Sequence, residues 1–277
     1  MGLIEFTSAV LLMSVLAGLL GALTGLGGGV VIVPALALLF HIDIRYAIGA
    51  SLVSVIATSS GAAVSFVREG FSNVRIGMFL EVATTLGALG GAYLTARVST
   101  HAIGITFGVV LLYSAWSSFR GPHNETPQVR NFLAEKLKLS GDYPSAHGRE
   151  AYTAQNIPAG FGIMFIAGIL SGLLGIGSGA IKVLAMDHAM KLPFKVSTTT
   201  SNFMIGVTAA ASAGVYLGRG YIAPGLAAPV MLGVLAGSLL GARLLVRISV
   251  PILRVVFAIV IVALGVEMIY SGVTGRL

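Results

Sequence analysis

The chain of 277 residues contains no cysteine and few charged residues. The absence of cysteine excludes disulfides, thiolate metal sites and cysteine nucleophiles. Only 10% of the residues are charged, whereas a soluble domain carries about 25%. The alternating segments that a membrane β-barrel requires are absent as well. Because the charge-free runs that remain are long enough to cross a hydrocarbon core of about 30 Å, the composition predicts an all-α polytopic membrane protein.

The first residues and the net charge fit this class. Met1–Glu5 lacks the basic region of a cleaved signal peptide, so we expect the first apolar run to stay in the mature protein. The formal net charge of +7 does not indicate nucleic-acid binding in a chain of this composition. It is typical of lysines and arginines placed on the cytoplasmic face. The expected partners are the lipid bilayer and a small anionic substrate, with no nucleic acid.

Two glycine clusters, residues 24–30 and 174–180, each lie within a long run free of Asp, Glu, Lys and Arg. Since glycine is costly in the middle of a helix, each cluster predicts a helix break at membrane depth. Broken backbone there needs protein or a water-filled cavity to satisfy its N–H and C=O groups. A pair of such breaks at matching positions of two halves indicates the binding site of a transporter.

The sequence is an internal duplication. A shift of 150 residues places the second half on the first without a gap over about a hundred positions. The matched pairs include Ala17 and Ala167, Gly25 and Gly175, Ser51 and Ser201, Gly87 and Gly237, Gly91 and Gly241, and Arg97 and Arg247. We divide the chain into a first transmembrane repeat (1–119), a polar loop (120–157) and a second transmembrane repeat (158–277).

Each repeat is predicted to contain one glycine-broken segment, re-entrant or hairpin, and three transmembrane helices. The segments are 6–40 (broken at 25–29), 46–67, 74–96 and 101–119, then 158–190 (broken at 175–179), 196–217, 222–243 and 250–272. Within the polar loop, residues 131–139 are compatible with a short surface helix. An ordinary solvated linker is the favoured interpretation there.

The basic residues distinguish two topologies. If each broken segment crosses the membrane once, the repeats are parallel and the lysines and arginines divide nine to seven. If each segment enters, turns and returns, the repeats are inverted and the division becomes twelve (68, 75, 120, 130, 136, 138, 149, 191, 195, 243, 247, 254) to four (45, 97, 219, 276). Cytoplasmic loops carry the basic excess. The sequence therefore favours two inverted repeats, with both termini outside and loop 120–157 in the cytoplasm.

Two half-helix starts facing each other near the midplane predict an anion site, because their first N–H groups are unpaired and carry partial positive charge. The candidate substrate-binding residues at the turns are Gly27, Gly28, Gly29, Gly177, Ser178 and Gly179. The alternative is that the glycines only allow close helix packing. Lys182 follows the second cluster and adds a charge at membrane depth, so it is a candidate for substrate binding or proton coupling.

Further candidates lie in the neighbouring spans. Ser51, Ser201 and Asn202 are expected to face the same cavity and bind substrate oxygens. Glu81 and Glu267 are candidates for proton coupling, although for Glu81 an ion pair with Arg75 is the favoured alternative. Lys182 has the corresponding alternative of pairing with Glu81 or Glu267, or of snorkelling to water.

No metal site or cofactor is expected. Asp187 and His188 resemble two metal ligands, but a third is missing. The GxxxG pairs Gly87/Gly91 and Gly237/Gly241 predict close helix contact, either inside the chain or in a homodimer.

These motifs resemble a known family. Residues 25–34 (GLGGGVVIVP) and 175–184 (GIGSGAIKVL), together with 192–197 (LPFKVS) and 200–206 (TSNFMIG), are similar to the TauE/SafE family of sulfite exporters. Two departures are Ser178, where the family usually has a third glycine, and Leu184, which replaces the proline seen at Pro34. Both weaken the expectation that the two turns share one shape. The resemblance implies a bacterial inner-membrane permease for small sulfur-containing anions such as sulfite or organosulfonates.

The residues and the resemblance together predict a secondary transporter, and an exporter by the resemblance, rather than an enzyme. No nucleotide-binding motif is present, so ion or substrate gradients would supply the energy. One alternative is a passive anion channel that uses the same site. Another is a membrane scaffold or assembly subunit, whose partner would bind the polar loop.

Overall fold

The computed structural model describes residues 2–24, 28–68, 72–118, 132–145, 148–245 and 250–276. They form the helices α1 (Leu3–Thr24), α2 (Gly29–Leu39), α3 (Ile44–Arg68), α4 (Val74–Leu94), α5 (Thr100–Ser118), α6 (Phe132–Lys136), α7 (Ile157–Leu174), α8 (Gly179–Leu184), α9 (Phe194–Gly218), α10 (Pro224–Leu245) and α11 (Val250–Thr274). A π-helical turn, Ala185–Ala189, continues α8. Two strands, β1 (Ser140–Ser145) and β2 (Gly148–Thr153), lie between α6 and α7.

The helices account for the apolar runs of the sequence. Among the described residues, α1, α4, α7 and α10 are long and apolar enough to cross a membrane, and α2, α3, α5 and α11 contain shorter apolar stretches. Each predicted span coincides with a helix to within a few residues at either end. The prediction of a helical polytopic membrane protein is thus confirmed at this level. At the second glycine cluster, α7 ends at Leu174 and the next helix begins at Gly179, whereas residues 25–27 of the first cluster lie outside the described residues.

The polar loop corrects the all-α prediction and the expectation of a solvated linker. After α6, strands β1 and β2 form an antiparallel hairpin. Tyr143 and Tyr152 on these strands are buried and belong to one apolar cluster with Ile76 and Leu80 of α4. The Asn73 Nδ2 donates a 2.8 Å hydrogen bond to Tyr152 Oη. The sequence does not predict this β-hairpin, because the strands lack a clear alternation of apolar and polar residues. Its tyrosines are buried only by packing against α4, which is distant in the chain.

The GxxxG glycines pack within the chain. A Cβ atom added at Gly91 would lie 2.1 Å from the Ile169 carbonyl oxygen, and one added at Gly237 would lie 2.0 Å from that of Val15. At Gly87 the corresponding distance to the Phe165 oxygen is 2.2 Å. The absence of a side chain lets the helix backbones touch. These three glycines are therefore covered by α7 and α1, and a homodimer would have to use another surface.

Helices α1 and α10 run parallel, as do α4 and α7. Their contacts advance in the same direction along both helices: Leu11 with Gly233 and Val15 with Gly237 for α1 and α10, and Thr84 with Gly168 and Ala88 with Gly172 for α4 and α7. In each pair, the first helix of one half packs against the third full-length helix of the other half.

Helices α3 and α9, which occupy equivalent places in the two halves, run antiparallel, and so do α5 and α11. Their contacts advance in opposite directions: Ser59 with Gly206 and Gly49 with Tyr221, which follows the end of α9, for α3 and α9, and Gly108 with Gly265 and His101 with Gly272 for α5 and α11. Every major helix pair of the bundle thus joins one half of the chain to the other.

The start of each glycine-containing segment lies next to its end. The Phe6 ring at the start of α1 contacts the Phe40 ring after α2, with centroids 5.7 Å apart. In the second half, the Gln155 N–H donates to the Met190 carbonyl at 2.9 Å, and Asn156 Nδ2 donates to the Ala189 carbonyl. The shift of 150 residues relates Phe6 to Asn156 and Phe40 to Met190. We refer to α1 with α2, and to α7 with α8 and its π turn, as the first and second helical hairpins, whose ends meet at equivalent positions.

Candidate functional site

The turn of the second helical hairpin has a left-handed backbone. Gly175 and Gly177 have φ angles of 68° and 70°, and Ser178 has a φ of 49°. Glycine adopts this region freely, whereas it is uncommon for serine. Gly28, the equivalent of Ser178 in the first turn, has a φ of −65°. The two turns consequently differ in backbone shape, and Gly27 lies outside the described residues.

The two hairpins meet at α3. Ser51 Oγ donates a 2.8 Å hydrogen bond to the Gly175 carbonyl oxygen of the second turn. A Cβ atom added at Gly29, where α2 begins, would lie 3.2 Å from that same oxygen and 2.6 Å from Ser51 Oγ. Gly29, Ser51 and Gly175 thus form one contact, which joins the start of the first returning helix to the turn of the second hairpin.

The second returning helix begins next to Ser201. Ser201 Oγ on α9 donates to the Gly179 carbonyl oxygen at 3.2 Å. The first hydrogen bond of this helix runs from the Lys182 N–H to the Ser178 carbonyl at 3.1 Å, so the N–H groups before Lys182 have no partner in a preceding helical turn. The Ser178 hydroxyl is buried and has no hydrogen-bond partner among the described residues. Unused donors are therefore concentrated at this turn.

Lys182 lies one turn further along the same helix and is fully buried, with 0% of its surface exposed. Its Nζ donates a 2.6 Å hydrogen bond to Thr208 Oγ1 on α9. A buried ammonium is costly in an apolar environment unless charge or hydrogen bonds compensate it. The lysine is thus held inside the helix bundle rather than extended toward water.

Glu81 supplies the negative charge of this region. Thr208 Oγ1 donates to Glu81 Oε1 at 2.7 Å, so the threonine links the lysine to the glutamate. Arg75, the ion-pair partner that the sequence favours for Glu81, instead donates to the Lys138 carbonyl. Thr208 itself carries no signal in the sequence, because a threonine in the middle of an apolar helix most often bonds to its own backbone.

The remaining candidates are not all brought together. Asn202 is half-buried on α9 next to Ser201. Glu267 lies on an exposed position of α11, where Ser271 Oγ donates to it at 3.4 Å. It contacts neither Lys182 nor Glu81. Asp187 is paired with His188, and no group of three His, Cys, Asp or Glu side chains suited to a metal occurs in the described part of the chain.

Comparisons with known proteins give one family and several probable membrane transporters. The family model described as "Sulfite exporter TauE/SafE" matches residues 10–268. The chain is 25% identical over 269 residues to the probable membrane transporter protein YunE of Bacillus subtilis, covering 94% of this chain and 96% of that protein. It is 28% identical over 271 residues to the probable membrane transporter protein YjnA of the same organism, covering 94% and 99%. No solved structure gives a significant match.

Proposed function

The chain belongs to the sulfite exporter TauE/SafE family, and on that premise we propose that it is a secondary transporter that exports small sulfur-containing anions, such as sulfite or organosulfonates, across the bacterial inner membrane. Its relatives are named as probable membrane transporters, in agreement with the expectation that the chain is not an enzyme. The observation that carries the anion proposal is the fully buried Lys182 in the second helical hairpin, one turn beyond a glycine turn with unused donors.

The architecture proposed for this transporter is a pair of inverted repeats. Repeats related by an axis parallel to their helices would place equivalent helices parallel to each other. The antiparallel pairs α3/α9 and α5/α11 instead favour an axis perpendicular to the helices. This axis lies in the membrane plane, as in many secondary transporters.

The closed helical hairpins support re-entry rather than a full crossing. Because each hairpin returns to the end at which it starts, each repeat crosses the membrane an odd number of times. With the basic excess inside, both termini are outside and loop 120–157, including its β-hairpin, is cytoplasmic. The chain then presents one hairpin from each side of the membrane.

We place the substrate where the two hairpins meet. The first N–H groups of α2 and of the helical stretch that begins at Gly179 carry partial positive charge. Gly28, Gly29, Gly177, Ser178 and Gly179 form these starts, Lys182 adds a full charge, and Ser51, Ser201 and Asn202 line the adjoining helices. An oxyanion or sulfonate could receive hydrogen bonds from these groups. Rocking of one repeat against the other would alternate its access to the two sides.

A passive anion channel would use the same groups, so kinetics must separate the two mechanisms. A transporter saturates and exchanges anion for anion, whereas a channel does neither at modest substrate concentration. A scaffold or assembly subunit is the remaining alternative, and its partner would bind the β-hairpin.

The test is anion binding and exchange by the purified protein. Thermal stability is measured with sulfite, methanesulfonate, sulfate and chloride, followed by uptake of labelled sulfite or sulfonate into proteoliposomes preloaded with the same anion. A ligand that binds only the folded state raises its stability, by about 2.7 kcal/mol at a hundredfold excess over the Kd. We expect stabilisation by sulfite or the sulfonate, and saturable exchange.

Lys182→Met tests the role of the buried charge, because methionine keeps a long apolar stem. Lys195→Ala is the matched control, since Lys195 is exposed at the start of α9. The anion response should disappear in Lys182→Met and persist in Lys195→Ala. If Lys182→Met responds like the wild type, Lys182 is structural. If no anion stabilises or exchanges in the wild type, the proposed function fails.

A further inference from the structure

A three-residue hydrogen-bonded chain crosses the boundary between the repeats. Lys182 on α8 donates to Thr208 on α9, at 2.6 Å, and Thr208 donates to Glu81 on α4, at 2.7 Å. Lys182 is 0% exposed and Glu81 is 7% exposed. Two ionisable groups thus lie inside an apolar bundle, joined by a single hydroxyl. We call these three residues the relay.

The relay can hold its proton at either end. With an ammonium and a carboxylate, Lys182 donates to Thr208 and Thr208 donates to Glu81. With an amine and a carboxylic acid, Glu81 donates to Thr208 and Thr208 donates to the lysine nitrogen. Because a hydroxyl both donates and accepts, the same heavy-atom positions serve both arrangements, and a proton can pass along the relay without movement of the backbone.

The carboxylate of Glu81 has one oxygen in use and one unused. Oε1 accepts from Thr208 and, at 3.1 Å, from Thr85. Oε2 is buried and has no hydrogen-bond partner among the described residues. A charged oxygen that is both desolvated and unpaired is costly. A proton added at Oε2 would neutralise that charge.

The relay exists in only one of the two repeats. A shift of 150 residues places Ile32 opposite Lys182 and Met231 opposite Glu81, and neither can hold a proton. Thr58 and Thr208, which are equivalent, both bond to a carbonyl of their own helix, that of Ser54 and that of Met204, but Thr208 also donates to the carboxylate of Glu81. The two repeats together therefore contain one such ionisable pair, Lys182 and Glu81. One pair fits a stoichiometry of one proton per transport cycle.

The neighbouring helices determine which other charged groups can act on Lys182 and Glu81. Glu81 is the charged group that acts electrostatically on Lys182, and α7 contains no titratable residue. The other titratable residues on the elements packed around the relay are Arg45, Tyr46 and Arg68 on α3, Arg75 and Tyr93 on α4, His101 and Tyr113 on α5, Asp187 and His188 on the π turn, and Lys195 and Tyr216 on α9. Of these, Asp187 and His188 are paired with each other.

We propose that the relay carries the coupling proton of anion transport, with one proton taken up at Glu81 for each monovalent anion bound beside Lys182. The empty relay has no net charge as ammonium and carboxylate. An anion entering alone would leave an excess negative charge buried in the membrane, which is costly. When water supplies a proton to Glu81 Oε2 at the same time, the loaded site is again neutral. This proposal rests on the proposed function and adds its coupling ion.

The experiment uses proteoliposomes that contain a trapped pH indicator, with uptake of labelled methanesulfonate measured in parallel. A sulfonate stays monovalent over the working range, so any proton that accompanies it is moved by the protein. We expect wild-type uptake to acidify the interior by about one proton per anion, and an inward proton gradient to accelerate uptake. The membrane potential should have little effect, because the loaded site is neutral.

Glu81→Gln keeps the shape of the side chain and removes its proton site. We expect this variant to lose proton movement while it retains exchange of anion for anion. Thr208→Val breaks the link between the Lys182 ammonium and the Glu81 carboxylate but keeps the proton site, so we expect fewer than one proton per anion, and Thr208→Ser, which restores the hydroxyl, should regain full coupling. Glu267→Gln is the matched control, since that glutamate is exposed on α11, and it should behave like the wild type.

The outcomes separate the two proposals. If the wild type transports the anion without protons, or if Glu81→Gln still moves one proton per anion, the relay proposal is overturned and the transporter remains. The same holds if Glu267→Gln loses proton movement while Glu81→Gln keeps it. If the wild type moves no anion under any gradient, the proposed function is overturned and the relay proposal with it.

Discussion

Ser51 donates a 2.8 Å hydrogen bond to the carbonyl oxygen of Gly175, 124 residues away in the chain. The two residues belong to different repeats, and Gly175 lies where the backbone is left-handed and outside any helix. A carbonyl there has no helical donor, so the serine supplies one. The bond therefore joins α3 of the first repeat to the turn of the second hairpin.

Removal of this hydroxyl should weaken the joint between the repeats. Ser51→Ala leaves a buried carbonyl without its donor, which costs about 1–3 kcal/mol. We expect a lower Tm in detergent and slower anion exchange. Ser60→Ala is the control, because Ser60 is exposed and bonds to the Ile56 carbonyl of its own helix. Equal Tm values for the two variants would contradict the assigned role of Ser51.

Adjacent glycines on α4 should respond in opposite ways to alanine. In Gly91→Ala the new Cβ would lie 2.1 Å from the Ile169 carbonyl oxygen, so α4 and α7 must separate. Overpacking of this kind costs about 1–3 kcal/mol. Gly90→Ala meets nothing within 4 Å and should be neutral, or stabilising by up to about 1 kcal/mol through helix propensity. Thermal unfolding of the two variants makes the comparison.

The natural absence of cysteine makes single-cysteine labelling a direct test of the inverted topology. Arg149→Cys places a thiol on the exposed surface of the β-hairpin, and Gly218→Cys places one at the end of α9, where the added side chain meets nothing. In intact cells, a membrane-impermeant thiol reagent should label Gly218→Cys and not Arg149→Cys. Labelling of Arg149→Cys from outside would reverse the proposed orientation.

The β-hairpin is anchored to α4 through Asn73. This residue has two roles, because its Oδ1 accepts from the Ile76 N–H as the cap of α4 and its Nδ2 donates to Tyr152 Oη. Tyr152→Phe removes only the second bond and should cost about 0.5–1.5 kcal/mol. Asn73→Ala removes both and should cost about 1 kcal/mol more, the usual value of a cap. A protease that cleaves at the β-hairpin should report the loosening in both variants.

Alkaline pH should loosen the same anchor. Burial raises the pKa of Tyr152 above its ordinary value, with Asn73 opposing and Asp142 adding to the shift. The folded state therefore favours the protonated phenol, so its contribution is complete below about pH 10 and is lost as the pH rises through the folded value. Wild type should lose more stability than Tyr152→Phe as the pH rises above about 10. Parallel losses would show that Tyr152 does not titrate in this range.

The amino-acid sequence by itself determined the membrane class, the positions of the helices and the duplication. These are local properties: an apolar run forms a helix wherever water is excluded, and a glycine cluster interrupts it. The shift of 150 residues aligns Ser51 with Ser201 and the first glycine cluster with the second. Lys182 could be singled out because a charge at membrane depth is rare enough to notice.

Tertiary packing alone decided which side chains meet. Thr208 joins Lys182 to Glu81 across 127 residues of chain, Gly91 faces α7 rather than a second molecule, and Tyr152 turns a polar loop into a β-hairpin docked on α4. Nothing in the sequence near these residues specifies their partners. The partners follow from how rigid helices pack, because burial and hydrogen bonding are satisfied between elements and not within them. The duplicated sequence gives two similar repeats. Only their packing against each other brings Lys182 of one repeat and Glu81 of the other together.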